Sequence, residues 1–192
     1  MMPLRKIATV AVMMGLLAGC MHYAAIDPGK PREVGGVFRV DPGVMWSGIK
    51  SGRVEVWTIN GQDLESISFL TAIKDDEPLL PVAGGKKKDT PTYRSGMRAP
   101  DVVDLFEATL ISFDYSQIEA RNLRPAEIGG TRGFRFEYGA FDGNGLAKRG
   151  IVLGLIGEED GLNLIIYEAA AEHYYEHYVD EVEGMLNSIE TI

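Results

Sequence analysis

Residues 134–167 read FRFEYGAFDGNGLAKRGIVLGLIGEEDGLNLIIY, and their pattern decides the fold class. Phe134, Phe136 and Tyr138 alternate with Arg135 and Glu137, the period of a strand with one buried face. Asp142-Gly143-Asn144-Gly145 turns the chain into an apolar run from Leu146 to Ile156. Glu158-Glu159-Asp160-Gly161 turns it again into Leu162 to Tyr167. Three strands joined by two short turns predict an antiparallel meander.

Downstream, a helix is expected from about Ala170 to Ile189. Tyr174, Tyr175, Tyr178, Val182, Met185, Leu186 and Ile189 fall within roughly 60° of one direction at helical spacing. Glu172, His173, Glu176, His177, Asp180 and Glu183 fall on the other side. Upstream, Gln117 to Leu123 reads as a further strand, ended by Pro125 and Gly129-Gly130. A second amphipathic helix starts at Pro100, with Val102, Val103, Phe106, Thr109, Leu110 and Phe113 on one stripe. Proline suits a first helical position, and Asp101 and Asp104 favour the positive end of the helix dipole.

Before that helix, residues 74–98 carry prolines, glycines and Lys86-Lys87-Lys88 and read as loop. Arg53 to Ile59 alternates and meets Asn60-Gly61, a hairpin signal, with Leu64 to Ile73 as the return strand. Val37 to Val40 predicts a short first strand, and Trp46 follows in a loop. Three strands, a helix, four strands and a closing helix give an α+β fold. It is a mainly antiparallel sheet of about six to seven strands flanked by two amphipathic helices.

The N-terminus carries a different signal. Arg5 and Lys6 precede an apolar run, Ile7 to Leu17, which is too short to remain as a spanning helix and has the layout of a secretory signal. Leu17-Ala18-Gly19-Cys20 resembles the lipobox of bacterial lipoproteins. The resemblance implies a diacylglyceryl group on the Cys20 thiol and cleavage before it. The expected organisation is a signal peptide over 1–19, a lipidated cysteine and flexible tether over 20–36, and one globular domain over 37–192. Met21 is not the aspartate that favours inner-membrane retention in enterobacterial lipoproteins. By that resemblance the anchor belongs in the outer membrane of a Gram-negative-type envelope, facing the periplasm.

Composition limits the partners. The chain has a formal charge of −9, and the mature part is more acidic once Arg5 and Lys6 leave. An acidic domain offers no footprint for nucleic acid, so membrane attachment rests on acyl chains, each buried methylene contributing about 0.8 kcal/mol. Cys20 is the only cysteine. Lipidation consumes it and leaves no thiol for disulfide, metal or catalytic use.

The order of elements resembles the fold shared by the PsbP subunit of photosystem II and the Ran-binding Mog protein. The likeness covers roughly residues 37–190. It rests on Trp46, on Gly129-Gly130-Thr131-Arg132-Gly133 before Phe134-Arg135-Phe136, and on Leu164-Ile165-Ile166-Tyr167 leading to the last helix with Asn187-Ser188-Ile189. The chain is also similar to a group of bacterial lipoproteins that share the Trp57-Thr58-Ile59-Asn60-Gly61 hairpin. The resemblance implies a PsbP/Mog-like sandwich and, for most of the family, adaptor or assembly roles.

Few residues suggest chemistry. His173-Tyr174-Tyr175-Glu176-His177 matches H-x-x-E-H, and histidines four apart share a helix face, so His173 and His177 with Asp180 form a candidate weak zinc or copper site. Such proteases take a further acidic ligand well downstream, and only fifteen residues follow His177, so the simpler expectation is a solvated helix face. Ser47-Gly48-Ile49-Lys50 matches S-x-x-K without its companion motifs. Gly84-Gly85-Lys86 lacks the first glycine and the hydroxyl residue of a phosphate loop, and Asp142-Gly143-Asn144-Gly145 lacks the twelve-residue calcium loop. No cofactor and no catalytic residue is expected. The expected function is a non-enzymatic interaction or envelope-assembly module with an envelope protein as partner. The alternative is a carrier of a small apolar or lipid-like ligand, which requires a cavity of a few hundred cubic ångströms.

Overall fold

The protein is described by a computed structural model over residues 23–81, 90–157 and 161–192. Its elements are β1 (Ala24–Ile26), β2 (Arg32–Val34), β3 (Phe38–Val40), β4 (Trp46–Ser51), β5 (Val54–Thr58), β6 (Glu65–Ile73) and α1 (Ala99–Ser112), then β7 (Ser116–Ile128), β8 (Thr131–Phe141), β9 (Ala147–Gly157), β10 (Gly161–Ala170), α2 (Tyr174–Asn187) and β11 (Glu190–Thr191). Eight strands form one antiparallel sheet in the order β1-β4-β5-β6-β10-β9-β8-β7, and β11-β3-β2 form a small second sheet. The α+β class and the two helices are as the sequence predicts. The main sheet holds eight strands rather than six or seven.

Alternation assigns the residues to two layers of core. Phe134, Phe136, Tyr138, Val152, Leu162 and Leu164 face Val102, Leu105, Phe106 and Leu110 of α1. Ile151, Leu153, Leu155, Ile165 and Tyr167 face the other way, against Tyr175, Val182, Met185 and Leu186 of α2. The central strands β9 and β10 are therefore covered on both sides. That is why they read as near-continuous apolar runs while β8 alternates. Phe106 meets Phe136 and Tyr138 edge to face, with ring centroids 5.4 and 4.9 Å apart. Gly154 and Gly150 lie directly opposite Phe134 and Tyr138. A Cβ at either glycine would overlap the facing ring, so these aromatics lie flat over bare backbone.

Several expectations are corrected. The segment 20–36 is not a tether where it is described. β1 pairs with β4 and β2 with β3, Ile26 and Val34 are buried, and Arg32 donates to Glu55 at 2.9 Å. Each of these strands has three residues and a single buried apolar one, too few for a readable period. Trp46 is the first residue of β4, not a loop residue, and its indole N–H donates to the Pro42 carbonyl at 3.0 Å.

β7 runs through Pro125, with register shifts between Ser116 and Glu119 and between Arg121 and Arg124. It is an edge strand, where proline removes no ladder bond that the sheet requires. β5 and β6 are joined by a six-residue turn, 59–64, not by Asn60-Gly61 alone. α2 begins at Tyr174 because Ala169 and Ala170 still pair with Arg149 and Lys148 of β9. Arg135, on the face of β8 opposite the phenylalanines, does not stand in water: it lies beneath α2 and makes a bidentate ion pair with Glu183, its Nη1 2.7 Å from Oε2.

Candidate functional site

Helix α1 crosses one face of the sheet and leaves a cleft of about 190 Å³ over β6 and β10. The cleft owes one wall to the way α1 ends. Asp114 takes a left-handed conformation (φ 65°), its N–H donates to the Ile111 carbonyl at 3.1 Å, and the Tyr115 N–H donates to the Leu110 carbonyl at 3.1 Å. This closes the helix with the paired bonds of a Schellman motif, with aspartate in the place usual for glycine. It also turns the Tyr115 ring back under the helix, beside Phe113.

Apolar walls come from Leu70, Leu79, Phe106, Leu110, Phe113 and Ile166, whereas the floor is polar. Glu168 on β10 stands directly opposite Ser66 on β6, and Ile166 opposite Ser68. The Tyr115 hydroxyl donates to Glu168 Oε1 at 2.9 Å and the Tyr138 hydroxyl donates to Oε2 at 2.6 Å. Lys148 Nζ lies 3.7 Å from the same carboxylate and donates to the Asp63 carbonyl. Burial, reinforced by the adjacent Glu168 carboxylate, raises the pKa of both tyrosines. They therefore stay protonated as donors throughout the physiological range. Carboxylate and ammonium compensate one another, and both have hydrogen-bond partners, which is the condition for keeping charge out of water.

This group was not foreseen from the sequence. Its four members come from the end of α1, from β8, from β9 and from β10. The only local signal is a charge in an apolar strand: Glu168 after Leu164-Ile165-Ile166-Tyr167, and Lys148 before Ile151-Val152-Leu153.

The histidine pair is placed differently. His173 precedes α2 at φ 71°, ψ −59°, the centre of a γ-turn in which the Tyr174 N–H donates to the Glu172 carbonyl at 2.9 Å. Its ring stacks on His177, with centroids 5.7 Å apart, and both side chains are exposed. Among the described residues no three His, Cys, Asp or Glu side chains gather where they could share an ion, so Asp180 does not complete the pair. Replacing both histidines by alanine is expected to change stability by no more than about 0.5 kcal/mol. Titration calorimetry with zinc should show no stoichiometric binding tighter than about 1 μM, and such binding, lost in the double variant, would establish a metal site.

Ser47 and Lys50 lie in β4, where residues three apart point to opposite faces, so no S-x-x-K pair forms. Asp142 Oδ1 accepts from the Asn144 and Leu146 N–H groups, each at 2.9 Å, and so serves as a turn residue. Cys20, Gly84–Lys88 and Glu158–Asp160 lie outside the described residues. Among those described, no helix is long and apolar enough to cross a membrane.

No family model and no curated protein sequence matches the chain. Among solved structures, the solution structure of cyanobacterial PsbP (CyanoP) from Synechocystis sp. PCC 6803 is similar with a TM-score of 0.52. It is 15% identical and the match covers 91% of this chain and 95% of that one. LpqN, involved in cell envelope biogenesis of Mycobacterium tuberculosis, gives a TM-score of 0.38 at 11% identity, over 88% of this chain and 91% of that one. The fold is PsbP-like.

Proposed function

We propose that the protein is a lipid-anchored lipoprotein of a Gram-negative-type cell envelope. Its anchor on Cys20 sits in the outer membrane facing the periplasm, and the domain acts there as a non-enzymatic interaction or assembly module for an envelope protein. The observation that carries this reading is the shortness of the link. β1 starts at Ala24, four residues after Cys20, and β1 is an edge of the main sheet. Four extended residues span at most about 14 Å, so an acylated Cys20 holds that edge against the bilayer. Tyr23 and Met45, both exposed, lie along it, and tyrosine favours the membrane interface.

The opposite edge, β7, lies seven strand spacings away, about 34 Å. Leu123 on β7 and Phe141 at the end of β8 are exposed at that edge, and Ile111 and Phe113 are exposed at the end of α1. Apolar residues presented away from the membrane suit a protein partner. The cleft beneath α1, about 190 Å³, is smaller than sites for drug-sized ligands, which run from about 300 Å³ upward. An open groove of about 610 Å³ lies at the β7 edge, lined by Leu123, Pro125 and Phe134. The adaptor reading rests on these exposed apolar residues, and a carrier of a small apolar or lipid-like ligand is the alternative reading.

The chain with Cys20→Ala is expected to incorporate no radioactive palmitate and to keep its leader, while the wild type is labelled and sediments with outer membrane. Equal label in both would overturn the lipoprotein assignment. A photo-crosslinking residue at Ile111 should give protein adducts in cells, and one at Tyr23 should give lipid adducts instead. The reverse pattern would refute the orientation.

A further inference from the structure

We propose that the cleft beneath α1 is a binding site for a small neutral amphiphile, one apolar ring or branched group bearing a single hydroxyl-type donor. Size comes first. The volume of about 190 Å³ is close to that of an apolar cavity which accommodates benzene, roughly 150 Å³. Leu70, Phe106, Leu110 and Ile166 supply matching walls.

The polar floor selects the head group. Each oxygen of Glu168 accepts one tyrosine hydroxyl, Tyr115 on Oε1 and Tyr138 on Oε2. A carboxylate has about four acceptor sites, and with Lys148 paired to Oε1 it is Oε2 that keeps one for a ligand. Ser66, 9% exposed, and Ser68 line the same floor, and among the described residues neither hydroxyl has a protein partner. The Glu168 side chain is only 15% exposed, so a donor that reaches it is largely withdrawn from water.

Charge restricts the head further. Lys148 Nζ, 3.7 Å from Glu168, already supplies the balancing cation, and an incoming ammonium would meet it in a poorly solvated site. An anionic head would face the carboxylate itself. A neutral donor suffers neither repulsion, and the phenol-type hydroxyl is the simplest group that joins a ring of the right size to such a donor.

The test uses the full chain with Cys20→Ala, so that no acyl group competes, and follows methyl NMR signals during titration with p-cresol, toluene and 4-methylbenzylamine. Leu70, Leu110 and Ile166 signals are expected to shift while Val182 and Leu186 beneath α2 do not. p-Cresol should bind at least tenfold more tightly than either of the others. Ser68→Leu, which fills the floor, should weaken p-cresol at least tenfold with the α2-side signals unchanged. If that variant does not fold, the selectivity series on the unfilled chain decides alone. Equal affinity for toluene and p-cresol, preference for the amine, or no shift in the cleft would each overturn the proposal. None of these outcomes bears on lipidation of Cys20.

Discussion

Phe136→Ala is expected to lower folding stability by about 3–5 kcal/mol. The ring is fully buried at the centre of the α1-side core, edge to face with Phe106 and parallel to Phe134 at 6.4 Å between centroids. Val152 is its direct cross-strand neighbour. The cavity left by truncation is walled by the sheet on one side and by α1 on the other, so little can move in to fill it. For a domain of this size, each kilocalorie corresponds to about 2–4 °C in melting temperature, so a fall of roughly 6–20 °C should accompany the change. Phe141→Ala, at the exposed end of the same strand, is the internal control and should cost much less. Urea denaturation measures both, and a loss below about 1 kcal/mol for Phe136→Ala would contradict this packing.

Glu65→Ala is expected to be comparably damaging, about 3 kcal/mol or more, for a polar reason. The Glu65 side chain is fully buried at the start of β6. Its Oε1 accepts from the Thr58 hydroxyl at 3.0 Å and from the Asn60 N–H at 2.8 Å, and the Ile59 N–H donates to it as well. Its Oε2 accepts from the Asn60 side-chain amide at 3.0 Å, and that amide also donates to the Tyr178 hydroxyl of α2 at 2.7 Å. One carboxylate thus shapes the β5–β6 turn and, through Asn60, ties it to α2. Alanine leaves two backbone N–H groups without their acceptor in a partly buried turn. Glu65→Gln keeps one acceptor oxygen and should lose less, and Tyr178→Phe should sever only the link to α2. Denaturation combined with hydrogen exchange at Asn60 distinguishes the three. A Glu65→Ala chain as stable as wild type, with Asn60 still protected, would show that other groups hold the turn.

The elements legible in the sequence are those whose burial repeats at a fixed period. β8 alternates, α1 and α2 each carry a clear apolar stripe, and β9 and β10 are long apolar runs between turn residues. Their residues meet the core on one face, or on both, over ten or more positions. β1, β2 and β11 have two or three residues each, and what makes them strands is a partner remote in the chain: Ile26 with Trp46, Glu190 with Arg39. No local window contains that information. The pairing of Arg135 with Glu183 escaped for the same reason. Alternation places Arg135 opposite the phenylalanines, but only the docking of α2 turns that face from solvent into an interlayer contact.

The same division separates the two proposed functional features. The expectation of a lipid anchor on Cys20 rests on a linear motif, Leu17-Ala18-Gly19-Cys20 after an apolar run, so the residues themselves suffice to raise it. The cleft beneath α1 has no linear form. Glu168, Tyr115, Tyr138 and Lys148 come from four elements, and each alone is an ordinary strand or loop residue. By itself the sequence determined the class of fold, the two helices, the meander and the expected anchor, because periodicity and short motifs are local properties of a chain. Tertiary structure alone decided the eighth strand, the start of the sheet as early as Ala24 and the polar floor of the cleft, because these depend on pairing and charge compensation between residues the chain brings together only on folding.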